Sequence, residues 1–490
     1  MSRRLCFRTF TILGAALLLS LSLAQGVLKV AVPFAITTLD PQGINGLDIG
    51  TTTAANHIFD TLVVRDSDTF EPSVAESWSN PDARTWVFKL REDVLFHDGS
   101  PLTSEDVKTS MDRYVELDGP AAALFSPITV TTNGDYEVVM TTEEPMGTLL
   151  VNLTRMFIGS SEDIATEDFG TAPVGTGPFT IEDFEVDNRV VLSANEDYWA
   201  GAPSLDGLEL LRIPEVSSRL TALRTGEIDL TWLIPADQLR QLQEEQNIEI
   251  ASVPSYGSYV IWFNSSQEPF TDARVRRAVW HAIDFEAAIE NLYEGIGVAA
   301  DAPITPQVFG YAPQRPYEYD PELARSLLAE AGFPDGFETS MMWKNEEYSD
   351  LSYTIISDLA EVGITVAPQQ KEHAIWIQDL VNLNFSMNNM IQSAATGDAD
   401  ILLGRLYQCA AERTGYCNPQ LDELLLAARA ELDQDKRLDL YAQASEIVWE
   451  EAVGMFPIDM LENYAHRQRV ENFQPAPSSA PDFTSVTLGD

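Results

Sequence analysis

The feature that most constrains the fold is the segment from Ala75 to Val107, AESWSNPDARTWVFKLREDVLFHDGSPLTSEDV. Trp86, Phe88 and Leu90 alternate with Val87 and Lys89, so an extended segment here has one apolar face. Asp98-Gly99 is a turn dipeptide, because glycine accepts the positive φ that a tight reversal needs. Thr103 followed by Asp106 has the form of a capping box and predicts a helix that opens at Ser104. The segment thus reads as a strand, a turn and a helix start within 33 residues.

The N-terminus reads as a secretory signal. Arg3, Arg4 and Arg8 form a basic start, Phe10 to Leu23 is an apolar run, and Ser22-Leu23-Ala24 offers small residues at a cleavage site. Residues 1–24 are therefore expected to be removed, which gives a periplasmic or secreted protein. The alternative is a retained anchor. No cysteine follows the apolar run, so there is no lipidation site. Removal takes Cys6 away and leaves Cys409 and Cys417, an even pair in an oxidising compartment, which predicts a disulfide. Two thiolates with no histidine nearby do not fill a zinc shell.

The chain of 490 residues is long enough for two or three cores. It holds 76 acidic against 30 basic residues, a formal net charge of −46. Such a surface repels nucleic acid and anionic membranes. Adaptation to a salty medium and attraction of a cationic ligand both fit it.

Further elements follow along the chain. Val27 to Pro33 reads as a buried strand, and Arg189 to Ser193 and Leu208 to Ile213 as two more. A helix from about Ser217 to Arg224 is closed by Gly226. Asp320-Pro321 opens another, with Leu323, Leu327 and Leu328 on its inner side and Gly332 as its stop. Pro173-Val-Gly-Thr-Gly-Pro-Phe179 lacks the third glycine and the Gly-Lys-Ser/Thr of a phosphate loop, so it reads as a turn between strands. There is no Gly-x-Ser-x-Gly and no His-Glu-x-x-His, and the five histidines are scattered. An enzyme is not expected.

As a string, the opening segment resembles the signature of the family 5 extracellular solute-binding proteins, the peptide-binding components of ABC importers. The resemblance continues through the P-V-G-T-G-P-F turn and Asn195 to Trp199 (NEDYW). It extends to Gly226-Glu-Ile-Asp229, Pro269 to Asp284, and Tyr319 to Phe333. It implies two α/β lobes of the class II periplasmic-binding-protein type with a ligand cleft between them. Lobe I would hold 25–265 plus 468–490, with an extra subdomain at about 70–190, and lobe II would hold 266–467. It also implies capture of a short peptide, delivery to ABC permease subunits in the membrane, a monomer and no cofactor. A non-peptide solute (an oligosaccharide, an opine-like conjugate or a nickel chelate) and a sensory receptor are the alternatives.

The same resemblance supplies site residues. Backbone at Ile36, Thr37, Thr38 and Leu39 would pair with an extended peptide. Ala394-Ala-Thr-Gly-Asp-Ala-Asp400 resembles a T-G-D segment whose aspartate holds the ligand's amino group. Asp398 matches it, and Asp400 rivals it because the segment before Cys409 is about three residues short. The segment expected to carry an arginine clamp for the ligand's carboxylate, Met341 to Glu347, has Lys344 instead. Trp343, Trp376, Tyr407 and Trp262 are aromatic candidates for the cleft wall or, alternatively, for the core.

Overall fold

A computed structural model describes residues 26–66, 69–344 and 348–489. The signal segment lies outside the described residues. Among those described, no helix is long and apolar enough to cross a membrane.

The local expectations around Ala75–Val107 are met in detail. Thr85–Leu90 is a strand whose Trp86, Phe88 and Leu90 are buried. It sits between Ala75–Asp82 and Glu137–Thr142 in a four-stranded antiparallel sheet completed by Ile128–Thr132. Gly99 has φ 85°. The helix Ser104–Glu116 opens on a complete capping box, with Thr103 and Asp106 satisfying each other's orphan amides. Its apolar side (Val107, Met111 and Tyr114) covers the sheet, and together they form one hydrophobic core.

An eleven-stranded mixed sheet forms the spine of the molecule. At one end it carries Val27–Val32 between Gly207–Arg212 and Leu230–Trp232, with the hairpin Phe179–Glu185 and Arg189–Ala194 outermost. At the other end Glu338–Lys344 lies between the parallel strands Thr365–Lys371 and Met387–Ser393. Two long antiparallel strands, Ile248–Phe263 and Gly454–Arg467, join the ends. The chain is two-lobed, and these strands carry it between the lobes.

The cores show where each lobe stops. Tyr259 to Phe263 and Val453 to Ile458 pack into the second lobe's core. Tyr464 packs into the first, and Ile248 and Ala465 into an adjoining cluster. The changeover therefore falls inside the two strands, at a register break between Pro254 and Ser258 on one strand and Leu461 and Asp459 on the other.

Smaller differences have simple causes. The helix Pro321–Glu330 buries Ala324 and Leu328, which lie four residues apart on one face, while Leu323 beside that face is 40% exposed. Gly226 takes the left-handed conformation and ends Val216–Thr225 as expected. Residues 227–229 bend before the strand Leu230–Trp232 begins.

Candidate functional site between the lobes

The glycine pair of the P-V-G-T-G-P-F turn has a packing role. A Cβ on Gly175 would lie 1.9 Å from the Ile58 carbonyl oxygen, and one on Gly177 would lie 2.6 Å from the Ile58 carbonyl carbon. The loop thus presses directly on the end of the helix Ile49–Ile58, and the Gly177 amide donates to Ile58 O at 2.9 Å. Beside it, Asp60 accepts from Tyr198 Oη at 2.9 Å, Trp199 Nε1 at 3.0 Å and Thr176 Oγ1 at 2.9 Å. The NEDYW motif therefore locks the loop to a buried carboxylate. Burial pushes Asp60 up to about 6 despite those three donors.

Two backbone carbonyls of the second lobe accept hydrogen bonds from the first. Arg65 Nη1 donates to Gly397 O at 2.6 Å, and the Gly147 amide donates to Arg429 O at 2.7 Å. At the second contact a Cβ on Gly147 would stand 1.9 Å from Glu431 O, so only glycine fits. A cavity of about 50 Å³ lies between these contacts. Arg65, Phe70, Trp86 and Leu150 line it from the first lobe, and Phe309, Asp398 and Arg437 from the second.

Asp398 is 2% exposed, and both its oxygens are taken by Arg437, at 2.8 Å to Nη1 and 2.7 Å to Nη2. Arg437 Nε donates to Ala428 O, and Nη2 also reaches Tyr441 Oη. Asp400 in turn accepts from Arg429 Nε at 2.9 Å, while burial holds its carboxyl above the ordinary range against the pull of that arginine. Neither carboxylate stands alone: each is paired with a guanidinium. The sequence reading missed Arg437, although a signal existed. Arg437, Tyr441, Ala444, Ser445 and Val448 follow helical spacing on the buried side of Gln434–Glu450, which places a cation on an apolar face.

The remaining candidates are placed as follows. Ile36 and Leu39 are buried in the first lobe's core, and Thr37 is exposed. Ile36 O accepts from the Asp187 amide, Thr38 O from Thr51 Oγ1, and the Leu39 amide donates to Gly170 O. Those three groups are used inside the lobe. Trp262, Tyr407, Trp343 and Trp376 all lie in the second lobe's core and not on a cleft wall. Their polar tips are satisfied there: Trp262 Nε1 by Tyr407 Oη, Trp343 Nε1 by Ser349 Oγ, and Trp376 Nε1 by Asn388 Oδ1. Lys344 Nζ stands 5.4 Å from the Trp376 ring centroid and 5.9 Å from that of Tyr348. Asn345 to Glu347 lie outside the described residues. Cys409 and Cys417 are joined as a disulfide. Among the described residues, no three or more His, Cys, Asp or Glu side chains converge as metal ligands.

Residues 69–413 match the family described as bacterial extracellular solute-binding proteins, family 5. The chain belongs to this family. Its members are solute-binding proteins of ABC importers. A probable di/tripeptide-binding protein 5 of Pseudomonas aeruginosa is 28% identical over 98% of this chain and 99% of its own. Among solved structures, HbpA2 of Haemophilus parasuis superposes with a TM-score of 0.86 at 25% identity, covering 95% of this chain and all of the other. DppA of Helicobacter pylori in complex with the peptide STSA gives 0.80 at 27% identity, covering 96% and 99%. Other members of the group are named for heme, glutathione and nickel, so family 5 membership leaves the solute open.

Proposed function

We propose that this family 5 protein captures a short peptide between its lobes and delivers it to a pair of membrane permease subunits. The observation that carries the reading is the pair of long strands, Ile248–Phe263 and Gly454–Arg467, broken in register where one lobe gives way to the other. A register break is a natural hinge, because fewer ladder hydrogen bonds resist bending there. The contacts Arg65–Gly397 and Gly147–Arg429 then act as latches of a closed form. Ligand favours the closed form to the extent that it binds that form more tightly. The peptide-binding relatives support a peptide as the solute. ATP hydrolysis belongs to another chain of the importer.

A second reading, a non-peptide solute, draws on the occupied carboxylates. With Asp398 and Asp400 both paired to arginines, a ligand amino group at that place would share its carboxylate with a guanidinium.

Native mass spectrometry of protein purified from its own periplasm or medium tests both. Release of a heterogeneous set of short peptides is the expected result. A single non-peptide mass overturns the peptide reading and keeps the binding role.

A further inference from the structure

Three polar side chains stand in a row across three adjacent strands at the place where the lobes meet. Ser258 is the register partner of both Gln392 and Asp459. Directly opposed residues in antiparallel strands leave the sheet on the same side, with Cβ atoms about 5 Å apart. Ser258 is fully buried, and Gln392 and Asp459 are each 3% exposed. Ser258 Oγ, Gln392 Oε1 and Asp459 Oδ1 are all buried with no hydrogen-bond partner. The Gln392 amide is oriented, because Nε2 donates to Pro303 O, so the orphan atom is its acceptor. Native interiors leave few such atoms unpaired, and three in one row call for a shared partner.

The charge around the row is negative. Burial, and then the neighbouring charge of Asp301, push the Asp459 carboxyl up to about 7. Asp301 is itself fixed by Tyr311 Oη at 2.6 Å. A cation placed here would relieve both effects. The row lies at the register break, where the Tyr256 amide donates to Pro477 O of the C-terminal tail and Thr305 Oγ1 donates to Ser255 O. It is therefore next to the inter-lobe contact at Gly397, where a Cβ would touch the Tyr256 ring.

We propose that Asp459, Gln392 and Ser258, with Asp301 beside them, form a receptor for an ammonium group of the captured solute. An ammonium carries one positive charge and three N–H donors, which matches one carboxylate oxygen, one amide oxygen and one hydroxyl. One converging carboxylate with two neutral oxygens suits that group better than a divalent metal ion, which calls for more anionic ligands. The assignment rests on the reading of the chain as a peptide carrier. It supplies the amino-group anchor that Asp398 and Asp400, paired to arginines, do not.

Isothermal titration of the full mature chain tests it. The probes are trialanine, N-acetyl-trialanine, N-acetyl-Ala-Lys-Ala and butylamine, against wild type, Asp459→Asn and Ser258→Ala. Asp459→Asn removes a buried charge at constant shape and is expected to fold; a thermal melt checks this, and Ser258→Ala gives an independent variant. The expected result is that trialanine binds wild type and loses tenfold or more in Asp459→Asn, while N-acetyl-trialanine binds weakly to both. The same loss seen only with N-acetyl-Ala-Lys-Ala assigns the ammonium to a side chain and keeps the receptor. Equal affinity of trialanine for wild type and both variants overturns the receptor and leaves peptide capture standing. Butylamine binding wild type but not Asp459→Asn, with no peptide bound, keeps the receptor and overturns peptide capture. Binding of none of the amines overturns both.

Discussion

Asp398 and Arg437 meet through two parallel hydrogen bonds of 2.7 and 2.8 Å inside the second lobe, 39 residues apart in the chain. A bidentate pair of this kind is geometrically specific and strong. It ties the loop after Met387–Ser393 to the helix Gln434–Glu450, which fixes one wall of the inter-lobe cavity.

Asp398→Ala leaves a buried guanidinium unpaired and is expected to cost about 3–5 kcal/mol of stability. Asp400→Ala should cost only about 1 kcal/mol, because Arg429 is partly exposed and can rehydrate. Urea unfolding of both variants measures the difference, and equal losses would show that the Asp398 pair is not the tighter one.

Gly147→Val should block the closed form. Its Cβ would collide with Glu431 O across the lobe boundary, yet it makes no such clash when the lobes are apart. The expected signature is a larger radius of gyration in solution X-ray scattering, which ligand no longer reduces, and at least a tenfold loss of solute affinity. Wild-type scattering behaviour in the variant would mean that this contact is not part of closure.

The buried acids give stability a pH dependence. Burial raises Asp459 and Glu462 to about 7, above their unfolded values, so between the two pKa values the folded state holds protons that the unfolded state has lost. Stability from these groups is full below the unfolded pKa and falls as pH rises through 7. Each contributes a slope of up to about −1.4 kcal/mol per pH unit. His57, buried and held below its usual value, works in the opposite direction as pH drops through 6.5. Unfolding midpoints from pH 6.5 to 8 should therefore fall, and Asp459→Asn should flatten the slope. An unchanged slope in that variant counts against a protonated Asp459.

Trp199→Phe removes one of the three donors to Asp60 and keeps the ring, so a loss of about 1 kcal/mol is expected. The Asp60 carboxyl should also titrate higher, because one bond to its charged form is gone. Carbon-13 NMR of the carboxyl resolves this, and a lower titration point would contradict the lock described for the motif.

Local chemistry was legible where it is local in space. Thr103 and Asp106 cap a helix that they belong to, and Trp86, Phe88 and Leu90 face one way because a strand's period is two. The turn at Pro173 to Phe179 was visible as a turn. Its need for two glycines was not, because the obstructing carbonyl belongs to Ile58, more than a hundred residues earlier. The four candidate aromatics were hardest to place, since a large ring at a strand or helix position fits a core and a cleft equally well.

The sequence by itself determined several local elements, because capping boxes, turn glycines and alternating apolar residues act between near neighbours, and its motif string carried the resemblance from which fold and family were expected. Only the tertiary structure decided which carboxylates carry available charge. Asp398 and Asp400 look like anchors in the string and are neutralised by Arg437 and Arg429, while Asp459 looks ordinary and is buried without a partner. A carboxylate's chemistry depends on the groups within a few ångströms of it, and here those groups come from distant parts of the chain.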